Sequence, residues 1–169
     1  MQLHTIANKA EMKILRTKCQ PFDFKKYTKK EIRAVIAEMR IKMKEWLGVG
    51  LAATQIGRTE AFFVAQVPDG KFYTIFNPRL TKLSEPVLLE EGCLSVPGQY
   101  GEIERCGKVT LEGQDQNGKP LKIKAFGLLA QIFQHETDHL KGILYYDKVR
   151  NLYEHPASSR LQEREKKKE

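Results

Sequence analysis

Gln134-His135-Glu136-Thr137-Asp138-His139 ends a largely apolar run, from about Gly127 to Lys141, that reads as a helix with Gly142 as its stop. Residues four apart stand on one helical face, one turn from each other, so the two imidazoles can grip one cation. The glutamate between them can reach a water held there and act as general base. This segment predicts a metal-binding helix, and the rest of the chain must fold around it.

Two histidines leave a catalytic site incomplete, because such a site needs a third protein ligand and one open position. Downstream candidates are Glu154, His155 and Glu163, in a polar terminal region. Upstream stands Cys93, within Glu90-Glu91-Gly92-Cys93-Leu94-Ser95 and between strand-like segments. A thiolate is a soft ligand that a metal deprotonates. The plainer reading of Cys93 is a small buried hydrophobe, and that reading is kept for Cys19 and Cys106. His4 and His155 read as surface residues.

A third segment, Gly48-Val49-Gly50-Leu51-Ala52-Ala53-Thr54-Gln55-Ile56-Gly57, is rich in glycine. Glycine permits close approach of the backbone to a ligand. No Gly-Lys-Ser/Thr follows, and Ala53 stands where a dinucleotide fingerprint needs its third glycine, so neither phosphate loop fits. Gln55 is either an ordinary polar residue or an amide donor aimed at a reacting oxygen.

Around these segments, Thr28 to Glu31 reads as a capping box. Ile32, Val35, Ile36, Met39, Met43, Trp46 and Leu47 follow as one apolar stripe of a helix that Gly48 stops. Ala61–Val67 and Lys71–Phe76 read as strands flanking a Pro68-Asp69-Gly70 turn, and Lys108–Gly113 and Pro120–Ala125 as a hairpin about Asn117-Gly118. Residues 1 to 27 read as irregular. The predicted fold is α+β: antiparallel β-sheets around a central metal-binding helix, with a further helix near the N-terminus. Residues 1–150 form a single catalytic domain, and 151–169 a charged C-terminal tail.

Across 169 residues, 41% hydrophobic and 30% charged content describes an ordinary globular domain with enough chain for a core. Met1 to Ala10 carries no signal-like apolar region and no apolar stretch can span a bilayer, so the expected address is cytoplasmic, with an organellar stroma or matrix as the alternative. Three cysteines without a C-x-x-C pair indicate a reduced compartment. The net charge of +8 suggests a polyanionic neighbour such as RNA; a solvated lysine-rich surface is the plainer account.

Taken together and in order, Gly48 to Gln55, Glu91 to Ser95 and Gln134 to His139 resemble peptide deformylase. The resemblance spans roughly residues 11 to 148, including Asn117 to Pro120 and the Gly142 to Asp147 run. It implies removal of the N-formyl group from the formyl-methionine of new polypeptides, releasing formate through a metal-bound hydroxide. It implies Cys93, His135 and His139 as ligands of one divalent ion, Fe2+ being favoured and Zn2+, Ni2+ or Co2+ compatible. Glu136 matches the acid/base. Gln55 and the Leu94 N–H match the donors to the oxyanion, while Val49, Gly50 and Gly92 match the lining of the peptide cleft. Arg105 matches a structural arginine, and Asp138 an acid behind the ligands. The expected partners are an N-formylmethionyl peptide and, through basic surface, the ribosome near its exit tunnel; a monomer with no membrane is expected. Four departures stand out: no proline precedes Met12 to Arg16, Gln131 replaces a commonly apolar pocket residue, Tyr100 stands where some members have arginine, and the tail is short and highly charged where some members carry a longer C-terminal helix that docks on the ribosome. Two other readings fit parts of the pattern: a metal-dependent endopeptidase, which would not need Cys93, and a non-catalytic RNA-binding module, which would not need Glu136 or Gln55.

Overall fold

Thr28 starts the first long helix as its sequence requires. The computed structural model describes residues 1–68 and 70–154. Thr28 Oγ1 accepts from Glu31 N–H at 3.2 Å, and the Glu31 carboxylate accepts from Thr28 N–H at 2.7 Å, opening α2 (Lys29–Glu45). Ile32, Ile36, Met39 and Met43 are buried, and Val35 and Trp46 pack against the same core. Each such burial is worth roughly 1.5–3 kcal/mol. The predicted stripe overreached at its end: Leu47 is 78% exposed. It also takes the positive φ of 59° that ends the helix, a role expected of Gly48. Gly48 instead lies where a Cβ would meet Leu94 Cδ1 at 2.7 Å.

The strands are β1 (Gly50–Ala52), β2 (Phe62–Gln66), β3 (Phe72–Cys93), β4 (Val96–Gln114), β5 (Pro120–Phe126) and β6 (Leu152–Glu154). All pairings are antiparallel, in the order β1-β2-β3-β4-β5, with β6 joined to β4. Both predicted hairpins form. Gly70 N–H closes on Val67 C=O at 3.0 Å, and Asp69 lies outside the described residues. In the β4–β5 loop the Asp115 carboxylate accepts from Asn117 and Lys119 N–H, and Gly118 takes φ 76°.

β3 and β4 run far past their predicted ends. β3 passes through Asn77-Pro78 on register shifts at Phe76/Arg79 and Thr81/Ser84. Asn77, Lys82 and Glu85 absorb the bends at positive φ. Bulges admit proline into a strand and increase its twist. The bent sheet closes on α3 (Gly127–Leu140), which touches β1 through β5. The helix thus occupies the centre, as expected, with Gly142 at φ 74° just beyond it.

The N-terminal stretch is a correction, because it is not irregular throughout. Asn8 caps α1 (Lys9–Leu15), accepting from Ala10 and Glu11 N–H at 2.9 and 3.3 Å. Seven residues with a single buried anchor, Leu15, make too short a period to read, and such a helix holds only by docking. Arg16, at its end, donates to Tyr146 Oη at 2.7 Å and pairs with Asp147. Phe22 then enters an aromatic group with Phe24, Tyr27, Phe62 and Phe76, at centroid distances of 4.7 to 5.5 Å. His4 is not a surface residue: it is half-buried against Gly57. His155, Glu163 and the charged tail lie outside the described residues. Among the described residues, no helix is long and apolar enough to cross a membrane.

Glu60 fastens the rim of that aromatic group through Arg58, at 2.7 Å, and Tyr27. Burial raises its pKa, but Arg58 and Tyr27 outweigh burial and hold it at about 2, below the usual 4.5. A depressed carboxylate contributes stability above the unfolded value and loses it as pH falls through the folded one. Glu60→Gln should therefore cost up to about 1 kcal/mol at pH 7, screened because the pair is partly exposed. The gap to the parent in urea denaturation should narrow between pH 4.5 and about 2; a gap constant with pH would refute the assignment.

Candidate metal centre

β3 ends at Cys93 after a register shift at Gly92, and the chain returns at once into β4, with Cys93 opposite Val96. That tight reversal turns the thiol toward α3. His135 and His139 lie one helical turn apart, with Nε2 atoms 3.1 Å from each other. Cys93 Sγ is 3.2 Å from His139 Nε2, and the three donor atoms lie within 4.8 Å of one another. Bonds of about 2.0–2.3 Å to a tetrahedral ion would set donors roughly 3.3–3.7 Å apart, so a small divalent cation fits with little movement. One sulfur and two imidazoles leave a fourth position open to water or substrate.

α3 carries Gln134, Glu136, Thr137, Asp138 and His139 into the interior, where each polar group needs a partner. The Glu91 carboxylate accepts from His135 Nδ1 at 2.6 Å, which directs the other ring nitrogen toward Cys93 and His139. Arg105 clasps Glu91 through Nε at 3.0 Å and Nη2 at 2.7 Å, and donates Nη1 to Asp138 at 2.6 Å. Lys148 reaches the same Asp138 oxygen at 2.6 Å. Arg105 and Asp138, which the sequence could not pair, are thus bonded. Burial pushes the Glu91 carboxyl up, but His135 and Arg105 together bring it to about 2. Burial opposes charge on His135, yet Cys93 and Glu91 prevail and raise its pKa. His139 moves down, because burial and then the neighbouring His135 oppose a second cation.

Gln55 sits in a 3-10 turn, Ala53–Ile56, and is 1% exposed. Its Oε1 accepts from Ala52 N–H at 2.8 Å, so Nε2 faces the site, 3.1 Å from Ser95 Oγ and 3.7 Å from Cys93 Sγ. Gly50 is forced by Glu136: a Cβ there would fall 2.2 Å from Glu136 Oε1. Here the close approach that the glycines permit is to a side chain of the protein itself. Glu136 Oε2 is buried without a partner among the described residues. Burial, with Glu91 adding and His135 and Arg105 opposing, lifts its pKa to about 7.

Of the predicted residues, Cys93, His135, His139, Glu136, Gln55 and Gly50 converge directly. Leu94 follows Cys93 and packs beside Gly48. Gly92 lies under the Tyr100 ring, where a Cβ would be 2.6 Å from Cε1, and Val49 is 37% exposed beside Gly50. Gln131 donates to Glu90 C=O at 2.9 Å, with Glu91 Oε2 at 3.4 Å. Glu91 and Ser95 take part in the site without a sequence role assigned to them, and their polarity beside Cys93 is the signal that could have found them. Gln134 was also missed. Its amide takes both the N–H and C=O of Cys106 at 2.9 and 2.8 Å, two residues beyond the end of the β4–β5 ladder.

Residues 4–155 match the family model for polypeptide deformylase. A peptide deformylase of Halothermothrix orenii is 42% identical over 137 residues, covering 80% of this chain and 87% of that protein. One from Chloroflexus aurantiacus is 38% identical over 159 residues, covering 84% and 83%. The crystal structure of peptide deformylase from Thermotoga maritima superposes with a TM-score of 0.79 at 31% identity, covering 89% of this chain and 97% of that one. That of the Synechococcus elongatus enzyme in complex with actinonin superposes at 0.80 and 33% identity, covering 89% and 79%.

The Arg105 network yields a stability test. Removing one member of a buried ionic group strands the others, at a cost of about 3–5 kcal/mol. Arg105→Leu should lower the urea unfolding free energy by that amount; a loss under about 1 kcal/mol, the value of an exposed pair, would show that the network is solvated.

Proposed function

This chain belongs to the polypeptide deformylase family, and from that premise we propose how its own residues remove the N-formyl group of nascent polypeptides. Cys93, His135 and His139 would hold one divalent ion, with Fe2+ favoured among the ions that suit one thiolate and two imidazoles. When bound, the ion polarises a carbonyl and lets a water lose its proton near neutral pH. The observation that carries the reading is this Cys/His/His group together with Glu136, next to His135 on the same helix, buried with an unpartnered carboxylate oxygen.

Glu136 takes the proton of the attacking water. The new C–O bond forms at the formyl carbon, and Gln55 Nε2 and the Leu94 N–H donate to the oxygen as it becomes negative. Glu136 then passes its proton to the leaving nitrogen as the C–N bond breaks. The products are formate and a free α-amine. Arg105 and Glu91 hold His135 in place throughout. Val49, Gly50 and Gly92 line the cleft, and burial of a methionine side chain there would favour it by roughly 2 kcal/mol. The net charge of +8 supports encounter with the RNA-rich ribosome surface.

The test is formate release from a formyl-Met peptide, run anaerobically with ferrous iron, beside an unformylated control. Glu136→Ala should abolish turnover yet keep the ion; an ion-free variant would argue against its role as base. Gln55→Ala should lower kcat about a hundredfold to a thousandfold with KM little changed. Cys93→Ala should lose the ion, and an active variant with full metal content would refute the third ligand. New termini from an unformylated peptide would favour an endopeptidase instead.

A further inference from the structure

Three successive backbone amides before α1 end on three different anchors. His4 N–H donates to Gln55 C=O at 2.8 Å, Thr5 N–H to the Glu11 carboxylate at 2.7 Å, and Ile6 N–H to Ser95 C=O at 3.0 Å. Extended chain alternates in this way, with residues 4 and 6 facing one side and residue 5 the other. The two carbonyls belong to the residues whose side chains meet at 3.1 Å in the site, Gln55 Nε2 and Ser95 Oγ. The segment therefore closes a ring behind that contact.

Its side chains lock it down. Leu3 packs on the main core. Ile6 packs on Val96, Ile103 and Tyr145, the cluster that Cys93 also flanks. The His4 ring fills the space over Gly57, where a Cβ would come within 2.8 Å of its Cε1. No other described backbone segment joins the Gln55 turn to the Leu94-Ser95 turn by hydrogen bonds at both ends.

We propose that residues 3–6 are a strap that fixes the spacing between the Gln55 amide and the Leu94-Ser95 backbone, so that both donors meet one developing oxyanion. The proposal rests on the deformylase reading and deepens it. His4 and Ile6 are positioning residues acting through their N–H groups. They do not touch the reacting atoms, but a shift of about 1 Å between donors can cost on the order of a hundredfold in rate.

His4→Pro removes one of these N–H groups, whereas His4→Ala keeps it and trims the ring. In the metal-loaded protein, kcat of His4→Pro should fall roughly tenfold or more below that of His4→Ala, with KM within about twofold. Metal content should be equal in the two. In a Gln55→Ala background His4→Pro should cost no further kcat, because the donor it positions is gone. Equal kcat for the two His4 variants, or full additivity with Gln55→Ala, overturns the strap. If His4→Pro does not fold, amide hydrogen exchange of the parent decides: protection of His4 and Ile6 comparable to Ala52 supports it, and exchange at the rate of a free terminus overturns it. A parent that releases no formate overturns the deformylase reading itself, whereas an active parent with matching His4 variants overturns the strap alone.

Discussion

The Glu91 carboxylate, clasped by two arms of Arg105 and by His135 Nδ1, is the interaction from which the rest of the molecule takes its shape. Its members come from β3, β4 and α3, so it locks the helix to both strands of the long hairpin. None of the three can stay buried alone, because an ion in a low-dielectric interior costs several kcal/mol unless paired. Asp138 and Lys148 extend the same network to the chain beyond α3. The network also selects the orientation of His135 and turns the other ring nitrogen toward the thiol. A stability requirement and a ligand geometry are met by one set of bonds.

The sheet makes that meeting possible by bending. β3 crosses two register shifts and three residues at positive φ before it delivers Glu91 to the helix, and a third shift at Gly92 before it delivers Cys93. A flat hairpin of that length would carry both residues past the centre. Where β5 ends and α3 begins, the Gln134 amide bonds the Cys106 backbone in place of a strand. Helix and sheet are thus joined by a polar seam as well as by Phe133 and Ile132, which pack in the apolar core.

Among the described residues Glu136 Oε2 is one of six buried side-chain polar atoms without a partner, and the only one of them on a carboxylate. A buried carboxyl oxygen without a partner destabilises a fold, and Gly50 gives up its side chain to make room for it. Local rules are broken mainly where chemistry is done. The same contrast separates Gln55, whose carbonyl end is tied to Ala52 and whose amide end faces the thiol, from an ordinary buried glutamine.

Part of the candidate site was legible in the sequence because His135, Glu136 and His139 fall in one short local pattern. His135 and His139 are placed by helical spacing alone. Thr28 and Glu31 announce α2, and Asn117-Gly118 a hairpin, because capping and turn chemistry act over a few residues. What the sequence could not decide was set by contacts between distant segments. The strand read over Lys71–Phe76 runs on through Pro78 and Pro86 to Cys93, and its irregularities are visible only with its partner beside it. The helix at Lys9–Leu15, the Asp138 partner of Arg105, the reason for Gly50 and the bonds of His4 each depend on a residue at least 33 positions away or on docking against the folded core. Local spacing determined that His135 and His139 could grip one ion, while Cys93 stayed open between a ligand and a small buried hydrophobe. Only the folded sheet decided that a sulfur, two imidazoles, a carboxyl and an amide would face one point, because burial and hydrogen-bond satisfaction are properties of the assembled interior.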